Sequence, residues 1–369
     1  MNAFRQSLQR IGAIATKELR QLKRDRPTFG MVVMIPLIQL LLFGFAINTN
    51  VRDLPVGVVD LSHTQIARAL VSDLTATQIV SFTQTYTTAK QGEENIRRGQ
   101  VKAVLVIPED FGQRLQDDRP IAQWMIDGSD TVVGNTLLSL QQMPFNTGFE
   151  STPIARNNTF EMALFFNPER RSAVNIVPGL VAIVLTMTMV MFTSAALVRE
   201  RERGNLELLI TTPVQSSEIM IGKILPYIAV GLIQVAIILG LGHVIFDVPV
   251  NGRLDQLVVG VFAFISASLT LGLLVSTIAK TQLQAMQLTV FLLIPSILLS
   301  GFMFPYEGMP IAAQWIAEAL PATHFIRIIR AIVLRGATLS DVQSDVWWLM
   351  GFTIVGVIAA ASRFKKRLD

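Results

Sequence analysis

Apolar runs of roughly span length recur along this chain, and nothing else in it constrains the fold as strongly. Residues 29–48, 172–197, 224–246, 257–279, 285–304 and 346–361 are such runs. A helix rising about 1.5 Å per residue needs about 20 apolar residues to cross the hydrocarbon core of a bilayer. The sixth run is short, but Trp347 and Trp348 stand at its start as an aromatic belt. Pro36 interrupts the first, which membrane helices tolerate. Charged residues make up only 16% of the chain against 51% hydrophobic, and the mean hydropathy is +0.49. These features predict an α-helical integral membrane protein with six transmembrane helices.

Six spans put both termini on one side, and the basic residues say which. The N-terminal tail, residues 199–223, Lys280 and the C-terminal tail together hold 16 Lys and Arg, whereas the opposite loops hold four: Arg253, Arg327, Arg330 and Arg335. The positive-inside rule then predicts cytoplasmic termini. Residues 1–28 carry Ile11, Ile14, Ala15, Leu19 and Leu22 near helical spacing among basic residues, the pattern of an amphipathic helix on the inner leaflet. The run at 29–48 follows a long basic lead and reads as a retained anchor rather than a cleaved signal.

Between spans one and two, residues 51–171 have the composition of a soluble domain. Residues 55–61, 101–107 and 121–126 are predicted strands, rich in β-branched or apolar side chains. Residues 89–99, 109–116 and 131–143 are predicted helices. The alternation predicts an inserted α/β domain, which the charge rule places outside the cytoplasm because long domains cross regardless of charge. Residues 172–369 then form the five-span part.

The segment 198–223 between spans two and three is charged and has helical spacing. Leu206, Leu209 and Ile210 make one apolar side, with Glu200, Glu202 and Glu207 on other faces. Gly204 allows a bend and Pro213 ends the turn. Arg199-Glu-Arg-Glu-Arg-Gly-Asn-Leu-Glu, followed by Thr212-Pro213 and Gly222-Lys223, resembles the coupling segment of type-2 ABC transporter permeases. One departure is Asn205, where the family usually has Thr; both residue types can cap a helix. Residues 306–336 also resemble the family's carboxy-terminal signature, with Pro305, Pro310, Pro321, His324, Arg330 and Gly336 at a re-entrant element near the outer leaflet. There, Ile326, Ile329, Ile332 and Val333 form an apolar face, and Arg327 and Arg330 stand one turn apart on another.

The resemblance implies a membrane subunit of a bacterial inner-membrane exporter of multidrug type. It would work as two permease chains, identical or sister, with two cytosolic ATPases docked on the 198–223 segments and, in some subgroups, a periplasmic adaptor protein. Apolar or amphipathic substrate would leave between the chains, with spans two and five as lining. Met187 and Met191 in span two and Met303 at the far end of span five offer flexible thioethers for such contacts, although lipid-facing or core packing is the plainer reading of them.

Chemistry of other kinds finds little support. There is no cysteine, so no disulfide frame or thiolate metal site. His63, His243 and His324 are far apart in sequence and show no metal spacing. Gly222-Lys223 lacks the upstream glycine and following hydroxyl of a phosphate loop, so ATP and its Mg belong to a partner subunit. The basic residues stand at span ends rather than in one stripe, which argues against nucleic acid. The competing class is a non-transporting receptor with an external sensor domain. A membrane-embedded enzyme is disfavoured because no span carries a paired acid and base.

Overall fold

The computed structural model describes residues 52–117, 119–144, 159–202 and 216–363, with the side chains of 216–225 set aside. The predicted N-terminal helix at 1–28 and the first predicted span lie outside these residues.

The α/β domain is built on a five-stranded mixed sheet in the order β2-β1-β3-β4-β5. β1 (Leu54–Asp60) pairs in parallel with β2 (Val80–Tyr86) on one side and β3 (Ala103–Ile107) on the other. β4 (Ala122–Asp127) runs antiparallel to β3, and β5 (Phe160–Phe165) parallel to β4. Helix α1 (Gln65–Ala76) joins β1 to β2, and α2 (Ala89–Arg97) joins β2 to β3. Right-handed crossovers that leave β1 in one direction and return over it in the other must put these helices on opposite faces. Packing agrees: Leu70 and Leu74 of α1 pack with Val56, Leu105 and Trp124, while Ile96 of α2 packs with Val59, Val104 and Met125.

Two predicted helices are shorter than the sequence suggested. The one at 109–116 is a single turn, α3 (Phe111–Arg114). Gly112, worth about 1 kcal/mol less than Ala in a helix, sits inside it. The one at 131–143 divides into α4 (Thr131–Leu138) and a 3₁₀ turn, Ser139–Gln142. After β5 the chain turns sharply into the helical part. Phe166 takes a left-handed φ of 67°, and the buried Asn167 side chain donates to the Arg171 carbonyl at 3.1 Å and accepts from its amide at 2.9 Å.

The five predicted spans that fall among the described residues are all helical: α5 (Ser172–Glu202), α6 (Ser216–Phe246), α7 (Leu254–Ile278), α8 (Gln282–Leu299) and, last in the chain, a helix over Gln343–Arg363. Each contains a stretch long and apolar enough to cross a membrane, by length and composition. At about 1.5 Å per residue, the 31 residues of α5 exceed a hydrocarbon core of about 30 Å, so its ends project. α5 and α7 form the centre. A Cβ on Gly272 would lie 2.9 Å from the Val190 carbonyl oxygen and 2.8 Å from Thr193 Cβ, so the missing side chain lets these helices meet backbone to backbone. α6 and the last helix leave large apolar side chains such as Ile233, Val244, Ile354 and Ile358 exposed, as helices facing lipid do.

α8 ends at Leu299, five residues before the predicted end of that span, because Gly301 turns the chain at a φ of 83°. α9 (Ile311–Glu318) and α10 (Pro321–Val333) follow, and the last helix is α11 (Gln343–Arg363). The amphipathic element expected at the outer leaflet is α10, and it is not a surface helix: every residue except Arg327 is buried. It packs among α5, α7 and α11, with Phe325 stacked on Phe264 at 4.1 Å between centroids. Its polar face found partners instead of water.

Candidate functional site

Two polar constructions stand at opposite ends of the central helices. At the first, the last turn of α5 grips the α7–α8 turn. Arg201 donates from its two terminal nitrogens to the carbonyls of Ala279 and Ser276, each at 3.0 Å. These are in the last turn of α7 and at its C-cap, where carbonyls lack helical partners and a cation is favourable by about 0.3–1 kcal/mol. Glu202 does the converse for α8. Its carboxylate accepts from the backbone amide of Gln282 at 3.0 Å and also from the Gln282 side chain, placing negative charge at a helix N-terminus. Arg199 donates to the Gln282 side-chain oxygen at 3.4 Å. Alternating charges at one helix end thus hold two others.

The predicted coupling segment departs from this corner. Glu200 lies half-buried in the same turn as Glu202. Gly204, Leu206, Glu207, Leu209, Ile210 and Pro213 lie outside the described residues, and Gly222 and Lys223 fall in the first two turns of α6. Sequence reasoning assigned Glu202 to an ATPase contact; the structure gives its carboxylate a use within the chain.

The second construction joins the α/β domain to α10 and its flanks. β4 ends in Asp127-Gly128-Ser129-Asp130, and both carboxylates do two things. Asp127 accepts from the Ser129 amide at 3.0 Å and faces Arg335 at 3.2 Å. Asp130 caps α4 through the Val132 and Val133 amides, while its other oxygen lies 3.4 Å from Arg330. Arg330 also donates to Asn175 of α5, and Asn175 donates in turn to Thr131 at 3.2 Å. Arg97 of α2 donates to the carbonyl of Gly336 at 3.1 Å, a residue held at a left-handed φ of 63°. Lys102 and Glu307 pair at 2.9 Å. Burial disfavours both charges, yet each outweighs it for the other: the Lys102 pKa stands above its ordinary value and the Glu307 pKa below.

His324 is buried on the face of α10 towards α11. Its Nδ1 lies 2.7 Å from Asp345, its Nε2 lies 3.0 Å from the Glu318 carbonyl, and its ring stacks on Trp348. Arg327 pairs with Glu318 and lies over the Tyr306 ring at 4.6 Å. The prolines of the predicted outer element have local duties: Pro305 and Pro310 each precede a short helix, and Pro321 opens α10. His324 and Arg330 both lie on α10, and Gly336 follows three residues after its end. The acids of this region are not evident from the sequence: Asp130 faces Arg330, Glu318 and Asp345 face His324, and Asp127 faces the neighbouring Arg335. Asp127 and Asp130 stand about 200 residues away in the chain, between the predicted strand at 121–126 and the predicted helix at 131–143. Met187 and Met303 are exposed and Met191 half-buried, while Met189 is fully buried on the opposite side of α5.

Two ends of one helix core, each fastened by charge, suit a membrane protein that moves as linked bodies. A family model described as ABC-2 family transporter protein matches residues 26–362. The chain belongs to the ABC-2 transporter family. Over 372 residues this ABC-2 chain is 27% identical to the probable multidrug ABC transporter permease YbhS of Escherichia coli (strain K12), covering 98% of each. It is 27% identical to the probable multidrug ABC transporter permease YbhR of the same organism, over 97% of this chain and 99% of that one. A match to ABC transporter G family member 20 of Dictyostelium discoideum, at 24% identity, covers 96% of the ABC-2 chain and 51% of the longer protein. No solved structure matches it.

Proposed function

We propose that this chain is the membrane-spanning permease subunit of an ATP-driven exporter of apolar or amphipathic compounds. The coupling segment at 198–223 serves a cytosolic ATPase, and the α/β domain faces the other side of the inner membrane. Support for the substrate class comes from the relatives named multidrug ABC transporter permeases. Orientation is supported by the 16 basic residues of the predicted inner segments against four in the outer ones.

The observation that carries the reading is the grip of Arg201 and Glu202 on the ends of α7 and α8. A push delivered to the end of α5 at Glu202 would act on three helices rather than one. Closure of a pair of ATPases, which hold the ATP and Mg, would rock α5, α7 and α8 of each of two permease chains. Met187 and Met191 on α5 and Met303 beyond α8 would border the path, and an adaptor protein could continue it. Leu206, Leu209 and Ile210 would be the anchors in the ATPase groove, with Glu200, Glu207 and Lys223 at the rim. The test is reconstitution with the cognate ATPase in proteoliposomes. Leu209→Ala is expected to insert normally, to lose ATP-driven export and to weaken ATPase co-purification. Export at the wild-type rate by Leu209→Ala, at matched protein level, would remove the reading.

A further inference from the structure

The junction between sheet and helices encloses a cavity of about 400 Å³. Lys102 and Ser129 line it from the α/β domain, and Ser300, Tyr306, Arg330 and Arg335 from the helices. Hydrogen-bond supply around it is lopsided. A guanidinium carries five N–H donors. Among the described residues the Arg330 side chain donates to Asp130 and Asn175, and that of Arg335 to Asp127 alone. The Nε atoms of both arginines and the Ser300 hydroxyl are buried without a partner, which is costly for groups of this kind. The acceptors at hand are committed. Asp127 and Asp130 each give one oxygen to backbone amides, Glu307 pairs with Lys102, Asp345 with His324, and Asp341, also on the lining, accepts from Thr338.

We propose that this cavity binds a phosphate-type oxyanion, carried either by the headgroup of an anionic lipid or by a soluble phosphate ester. Planar guanidinium forks match phosphate oxygens, and a surplus of donors calls for a ligand made of acceptors. The cavity is large enough for a headgroup as well as for a single ion. Position favours the lipid. Ser300 and Gly301, which close α8, stand on the cavity wall, at the level where a spanning helix leaves hydrocarbon and enters the headgroup layer. The inference rests on α8 crossing the membrane and is independent of the transport reading.

The test uses the full chain in neutral detergent, with native mass spectrometry reading bound ligand. Phosphatidylglycerol, diacylglycerol and inorganic phosphate are the three probes. The wild type is expected to retain phosphatidylglycerol and not diacylglycerol, with inorganic phosphate displacing the lipid. Phosphate binding without lipid retention would keep the oxyanion site and assign it to a soluble ester. Ser300→Leu fills the cavity while leaving each ion pair in place, and Asp127→Asn with Arg335→Gln removes donors without stranding a carboxylate. Both are expected to lower retention at least tenfold with a melting temperature close to wild type, and either one alone suffices if the other misfolds. Binding of neither phosphate probe, equal retention of diacylglycerol, or wild-type retention by the folded variants would overturn the proposal.

Discussion

Glu202, the last residue of α5, closes its carboxylate over Gln282, the first residue of α8, taking both the backbone and the side-chain amide. If this contact carries drive between helices, Glu202→Ala is expected to keep the ATPase bound while the substrate moved per ATP falls several-fold. Glu202→Gln keeps an acceptor oxygen and recovers part of it. Parallel transport and hydrolysis assays in proteoliposomes give the ratio, and an unchanged ratio in Glu202→Ala would show that the corner transmits nothing.

Arg330 and Asp130 are a pair to be tested together. Removing one partner of a buried pair strands the other and costs about 3–5 kcal/mol, whereas removing both is far milder. Arg330→Met is expected to lower the melting temperature markedly, and Asp130→Asn added to it should restore more than half of the loss. Asn still caps α4, so the rescue reads the charge alone. Additive losses in the double variant would mean the two residues do not interact.

The Lys102–Glu307 pair sets a pH window. Glu307 has a lowered pKa in the fold, so its contribution is present above its unfolded value of about 4.3 and is lost as pH falls through the folded value. Lys102 has a raised pKa, so its contribution is complete below about 10.4 and is lost as pH rises through the folded value. Melting temperature followed into acid is expected to fall less steeply in Glu307→Gln than in wild type, from a lower start near neutrality. Parallel curves would show that the pair does not govern the acid limb.

Gly272 and Gly240 make an internal contrast. Gly272→Ala drives a Cβ into the backbone of α5 and is expected to cost about 1–3 kcal/mol, as overpacking does. Nothing lies within 4 Å of a Cβ on Gly240, so Gly240→Ala should gain up to about 1 kcal/mol of helix propensity. Detergent melting curves should move in opposite directions.

Orientation can be read directly because the chain has no cysteine. Ala69→Cys on the exposed side of α1 is expected to react with an impermeant maleimide in cells with a permeabilised outer membrane. Ser362→Cys, at the end of α11, should react only after the inner membrane is opened. The reverse pattern would invert the topology.

How much of this was legible follows from what each element needs. β1, β3 and β4 lie inside the sheet and show as apolar runs. β2 and β5 are its edges, and VSFTQTY is half polar because one side of an edge strand meets water. The long helices were visible from length and apolarity alone. The burial of α10 was not, since its arginines looked like a solvated face until Asp130 and Glu318 arrived from elsewhere in the chain. The resemblance marked out residues 305–336 as a unit, but a sequence cannot show that Asp127 and Asp130 each hold a backbone amide and face an arginine.

Asn167 ties β5 to α5 through two hydrogen bonds to Arg171 across a turn too short to slacken. The sheet's last strand and helix α5 are consequently joined as a single crank. A roll of α5 about its axis would carry the sheet edge with it, working against the ion pairs that fasten the domain to the α10 region. Motion begun at Glu202 would therefore be legible on the far rim of the α/β domain, where a pair of spectroscopic labels could follow each stroke without touching the membrane.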